Sequence, residues 1–79
     1  MTGLQLQIKA RQIGKQLDKN EPISYAGIAK LLNKPYTTAK RKIVRNDFTI
    51  TEAFTILNSG LFAYKSKYDA LEYLFTEQT

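Results

Sequence analysis

The sequence predicts an all-α fold of five short helices, and three observations carry that expectation. Apolar residues recur at spacings of three and four through most of the chain, the period of a helix with one buried face. Residues that cap or break helices fall between the periodic stretches: Pro22, Ser24, Asn33-Lys34-Pro35, Thr49, Asn58-Ser59-Gly60 and Ser66. Two of the periodic stretches, on either side of Asn33-Lys34-Pro35, are short and separated by a tight turn. With 79 residues the chain reads as one domain, 1-79, with a modest core that buries roughly 60% of the unfolded surface.

The first helix is expected over Leu4 to Leu17, with Leu6, Ala10, Ile13 and Leu17 facing inward and Leu4 and Ile8 close by. Leu4-Gln5-Leu6-Gln7-Ile8 also alternates like a strand, but the helical pattern continues past it. Gly14 weakens this helix by roughly 1 kcal/mol relative to Ala, and Pro22 ends it. Ser24 caps the second helix, which buries Ile28, Leu31 and Leu32, with Ala26 and Ala29 as close-approach positions. Asn33 suits a left-handed helix end, and Pro35 opens the next helix, where its missing N–H is not needed.

The third helix runs from about Pro35 to Val44, with Ala39 and Ile43 inward and Thr37, Lys40, Arg41 and Val44 outward. Thr49 and Glu52 form a capping box for the fourth helix, whose apolar face is read as Ile50, Ala53, Phe54 and Leu57. Leu61 to Tyr64 is either extended or a partial turn. Ser66 caps the last helix, with Asp69 in its first turn and Leu71, Leu74 and Phe75 on one side, and Glu77 to Thr79 is expected to fray.

Composition narrows the function. The chain has no Cys and no His, so disulfides, thiolate metal sites and the commonest general base are missing. The carboxylates are scattered singly, and no glycine-rich phosphate loop occurs. No catalytic, cofactor-binding or metal-binding residue is expected, and the chain reads as a non-enzyme. No apolar run has the length of a signal peptide core or a membrane span, so a soluble, cytoplasmic protein is expected. The first helix is basic, but it lacks the aromatic face of a membrane-surface helix.

The charge is uneven. Residues 1–45 hold ten Lys and Arg against two acids, giving +8, and residues 46–79 hold two against five acids, giving −3. A basic half joined to a mildly acidic half points to a polyanion-binding face and a separate packing or partner face. The positive charge is densest after Pro35, where Lys40, Arg41, Lys42 and Arg45 follow Tyr36, Thr37 and Thr38. Such a helix, preceded by a short helix and a turn, is the arrangement of a helix-turn-helix.

Several residues together resemble the lambda repressor and Cro family, in particular small Cro-like (XRE-type) proteins of phages of Gram-positive bacteria. They are Ala29 and Leu32, the run Thr38-Ala39-Lys40-Arg41-Lys42-Ile43, the stretch Asp47-Phe48-Thr49-Ile50-Thr51-Glu52-Ala53, and the ending Glu72-Tyr73-Leu74-Phe75. Asn33 stands where the family usually has Gly, and Pro35 where Ser is common. The resemblance implies a compact five-helix lambda-repressor-like DNA-binding domain in a bacterial host cell. Its function would be transcription regulation, as a repressor or Cro-like regulator acting on an operator as a homodimer.

On that reading the third helix enters the major groove of double-stranded DNA. Tyr36, Thr37, Lys40 and Arg41 would reach base edges, Arg41 being suited to a bidentate contact with guanine. Ser24, Tyr25, Lys34, Thr38, Lys42 and Arg45 would hold the phosphate backbone. Phe62, Tyr64, Tyr68, Tyr73 and Phe75 either complete a thin core or form a dimer or partner surface. The rival expectation is a protein-binding modulator on the same scaffold, such as an antirepressor that docks on a partner repressor or on a host protein.

Overall fold

Local capping chemistry sets out the helices of the computed structural model, which describes residues 1–14, 23–60 and 66–78. Five helices are present among the described residues: α1 (Gly3–Gln12), α2 (Tyr25–Leu32), α3 (Tyr36–Arg45), α4 (Ile50–Leu57) and α5 (Lys67–Phe75). No strand occurs among them. Leu17, Pro22 and the stretch from Leu61 to Tyr64 lie outside the described residues.

Four of the five helices open on a hydroxyl that accepts a first-turn amide. The Ser24 hydroxyl accepts from the Gly27 N–H at 3.0 Å, and the Ser66 hydroxyl from the Asp69 N–H at 3.2 Å. Thr49 and Glu52 form the expected capping box, each side chain bonded to the other's backbone N–H. Thr2 and Gln5 make a second one at the start of α1. Removing such a cap typically destabilises a helix by about 1 kcal/mol. The exception is α3, where Pro35 stands at the N-cap position and no side chain caps the first turn.

Asn33 and Asn46 bracket α3, and both take the left-handed conformation, with φ of 54° and 52°. At each, the following N–H closes a wide turn: Lys34 donates to the Ala29 carbonyl at 3.0 Å and Asp47 to the Lys42 carbonyl at 2.9 Å. Asn is one of the few residues other than Gly that adopts this conformation cheaply.

One apolar cluster draws on all five helices: Leu4 and Ile8 from α1, Ile28 from α2, Ile43 from α3, Ile56 from α4, and Ala70 and Leu74 from α5, with Ile23 ahead of α2. Tyr25, Leu31, Leu32, Phe48, Leu57, Tyr73 and Phe75 pack around it, half-buried. The Cα radius of gyration is 11.4 Å, close to the value of about 12 Å expected for a compact chain of this length.

The packing corrects four sequence expectations. Helix α1 stops at Gln12, because Gly14 has φ of 74° and turns the chain instead of weakening a continuing helix. Its inner face is Leu4, Gln7, Ile8 and Ala10, while Leu6 is half-buried and Ile13 is exposed. In α4 the inner face is Glu52, Ala53 and Ile56, whereas Ile50 is 78% and Phe54 43% exposed. In α5, Ala70 and Leu74 are buried and Leu71 is exposed.

Glu77 and Gln78, after α5, are paired rather than frayed, and Thr79 lies outside the described residues. Thr2 and Glu77 form an isolated antiparallel bridge, and the Gln78 N–H donates to the Met1 carbonyl at 2.9 Å. Gly3 lets this region close up. It is buried, and a Cβ built on it would lie 2.5 Å from ring atoms of Tyr73.

Candidate nucleic-acid interface

Helix α3 is seated by two side chains and presented by the others. Ala39 is completely buried and Ile43 is 1% exposed, one turn apart on the inner face. Thr37, Lys40, Arg41, Val44 and Arg45 are exposed, and Thr38 is half-buried. The expected division between inward and outward positions is therefore what the structure has. Among the described residues, Lys40, Arg41 and Arg45 make no ion pair.

Three other parts of the chain hold the C-terminal end of α3. Gln5 Nε2 donates to the carbonyls of Ile43 at 2.7 Å and Val44 at 3.2 Å, in the last turn, where helix carbonyls run short of internal donors; the Ile43 carbonyl also accepts the Asn46 N–H at 3.2 Å. Asn46 Nδ2 donates to the Phe75 carbonyl at 2.8 Å, joining the turn after α3 to the end of α5. Lys42 Nζ lies 3.1 Å from Glu52 Oε1, with both side chains largely buried.

Lys42 therefore occupies a different place from the one expected of a phosphate contact: its ammonium is engaged with the chain's own Glu52. Burial alone would raise the Glu52 carboxyl's pKa. The Thr49 backbone N–H, Lys42 and the Thr49 hydroxyl outweigh that and hold it below its ordinary value. The carboxylate stays charged and keeps the end of α3 docked on α4.

Around the first two turns of α3 the surface is aromatic and basic. The Tyr25 and Tyr36 rings meet edge to face, 6.2 Å between centroids at 83°, and Lys40 Nζ lies 5.5 Å from the centroid of the Tyr25 ring. Tyr36 is 49% exposed. Lys34 and Pro35 are exposed in the turn, and an open cleft beside them is walled by Ala26, Lys30, Asn33 and Tyr36. The Ser24 hydroxyl accepts the Gly27 N–H as the cap of α2, which leaves its own O–H to donate.

Two residues of this surface were counted in the sequence but not assigned to it. Lys9 lines a cleft of about 330 Å³ with Gln12, Tyr25 and Val44, and Arg11 lines one of about 240 Å³ with Gln12, Tyr25 and Tyr36. Tyr25 thus shares one cleft with Lys9 and another with Arg11, and carries Lys40 over its ring. The sequence holds no signal for this, because the approach of α1 to α3 is tertiary.

The expected dimer or partner residues separate. Phe62 and Tyr64 lie outside the described residues. Tyr68 is 72% exposed. Tyr73 and Phe75 are half-buried against the core, and Phe75 meets Phe48 edge to face at 5.4 Å. Exposed apolar area gathers instead at Ile50 and Leu71, which line a cleft of about 240 Å³ with Phe48, Ala53 and Phe75. No helix among the described residues is long and apolar enough to cross a membrane.

Comparison with known proteins returns no match: no family, no curated relative and no solved structure matches the chain.

Proposed function

We propose that the protein is a Cro-like transcriptional regulator that binds operator DNA through the helix-turn-helix formed by α2 and α3. The observation that carries this reading is a helix anchored at its C-terminal end and on its inner face, with Thr37, Lys40 and Arg41 facing outward and, among the described residues, no acid paired with Lys40 or Arg41. A cylinder of that size fits the major groove, and its first turns are the part that reaches base edges in this kind of docking.

Arg41 and Thr37 read bases, and Lys40 and Tyr36 lie close enough to do the same. Lys34 and Arg45 grip phosphate. The uncapped first turn of α3 and the start of α2 at Tyr25 add backbone N–H groups that favour an anion. A single module of this size binds weakly and with strong salt dependence, so it acts as a homodimer on a two-fold site. The exposed Ile50 and Leu71 patch, on the side of α4 and α5, is where a second copy would pair.

Selection of bound duplexes from a random pool tests the reading. Arg41→Ala is expected to relax discrimination at one base position by about 1–3 kcal/mol. Arg45→Ala is expected to weaken all duplexes alike and flatten the salt dependence by about 0.9 in log–log slope. Identical losses from the two changes would overturn the division of roles. The same apolar patch on α4 also supports a second reading, a modulator that docks on a partner repressor or host protein. Absence of duplex binding at about 50 mM salt, where counterion release favours it most, would select that reading.

A further inference from the structure

We infer that the last turn of α1 is a second phosphate-binding wall of the same interface, with Lys9 and Arg11 closing on the DNA backbone from the side opposite Lys34. The inference rests on the DNA-binding reading and extends it to a helix outside the helix-turn-helix. It starts from Tyr25. Its half-buried ring lies under Lys40 and against Tyr36, and it forms a wall of both clefts that Lys9 and Arg11 line. Tyr25 is therefore the residue common to the Lys9 cleft, the Arg11 cleft and the Lys40 contact. Lys9 and Arg11 are exposed and make no ion pair among the described residues.

The two helices are also fixed in register. Gln5 caps the start of α1 through its Oε1, which accepts the Thr2 N–H at 2.9 Å, and grips the end of α3 through its Nε2. One side chain thus sets where Lys9 stands relative to Val44 and Lys40, about one turn further along α1. A groove whose walls carry Lys9, Arg11 and Lys40, with no acid lining either cleft among the described residues, is complementary to a phosphodiester backbone. A duplex seated on α3 is the occupant whose chemistry matches.

Lys9 and Arg11 also have an ordinary structural role, since cations in the last turn favour the helix dipole. The two roles differ in what they change. The test is the salt dependence of the full chain binding a random-sequence duplex, followed by anisotropy between about 50 and 200 mM salt. Wild type is compared with the double variant Lys9→Ala/Arg11→Ala and with Lys67→Ala, an exposed cation on α5.

The expected result is a slope shallower by about 1.8 in the double variant, with the base preference of the wild type kept and Lys67→Ala unchanged. A wild-type slope in the double variant, with only a lower melting temperature, would reduce the pair to helix-end charges and overturn the inference alone. An equal flattening by Lys67→Ala would assign the effect to net charge and overturn it as well. Failure of the wild type itself to bind any duplex would remove the DNA reading and this inference together.

Discussion

At its C-terminal end α3 is bonded to three other parts of the molecule: α1 through Gln5, α4 through Glu52, and the end of α5 through Asn46. At its N-terminal end it meets α2 through Tyr25 and carries no side-chain cap. The same ten-residue helix is thus fixed at one end and open at the other. Polar bonds at the root set the direction of the helix without using the side chains of its first two turns. Those side chains remain available to something outside the chain.

The strongest way to break this contrast is to loosen the root from within. Ile43→Ala removes a side chain that is 1% exposed and is expected to destabilise the fold by about 2–5 kcal/mol. Val44→Ala, one residue on and 58% exposed, is expected to stay within about 0.5 kcal/mol of wild type. Urea unfolding of the two variants measures the difference, and similar midpoints would mean that Ile43 does not anchor the inward face of α3.

The Lys42–Glu52 pair gives a smaller effect with a pH signature. Glu52→Gln is expected to destabilise by about 1.5–3 kcal/mol, the range for a hydrogen bond to a charged group. The carboxyl's pKa is lowered in the folded state from an ordinary value of 4.5. Its contribution is therefore fully present above that value and is lost as pH falls through the lower, folded pKa. Thermal melts between about pH 5 and 2 should show wild type losing stability faster than Glu52→Gln. Parallel curves would remove the pair from the root.

The two asparagines sharpen the comparison with the smallest effect. Both have positive φ, but only Asn46 has a side-chain bond to another helix among the described residues. Asn46→Gly is expected to lose about 1 kcal/mol through the Phe75 carbonyl. Asn33→Gly keeps the backbone geometry and should change little. Equal unfolding midpoints for the two glycine variants would show that the Asn46 amide contributes nothing beyond its backbone.

Much of this was legible in the chain because it is local. The Ser24, Thr49–Glu52 and Ser66 caps, the left-handed Asn33, and the opposition of Ala39 and Ile43 to Thr37, Lys40 and Arg41 all follow from residues within one or two turns. The faces of α1 and α4 were not legible, for a shared reason. Each carries more apolar residues than one face can bury, and tertiary packing selected Leu4 and Ile8 over Ile13, and Ile56 over Ile50 and Phe54. Polar residues then took inner positions: Gln7 is fully buried and Glu52 nearly so.

Tertiary contacts also decided the site. The resemblance implies a phosphate contact for Lys42, and charge counting cannot reveal that Glu52, ten residues on in the sequence, faces it. Nor can it reveal that Lys9 and Arg11 border the clefts beside Tyr25. The outward identity of Lys40 and Arg41 was readable from spacing alone, while the frame around them required the folded chain.

The missing side chain at Gly3 has a mechanical consequence. Where it lies against Tyr73, α1 rests directly on α5, and two residues later Gln5 takes hold of α3. The pitch of the presented helix is thus referred, through less than one turn of α1, to the Tyr73 ring on α5. Any bulk added at that bearing point would tilt the lever rather than merely loosen the packing.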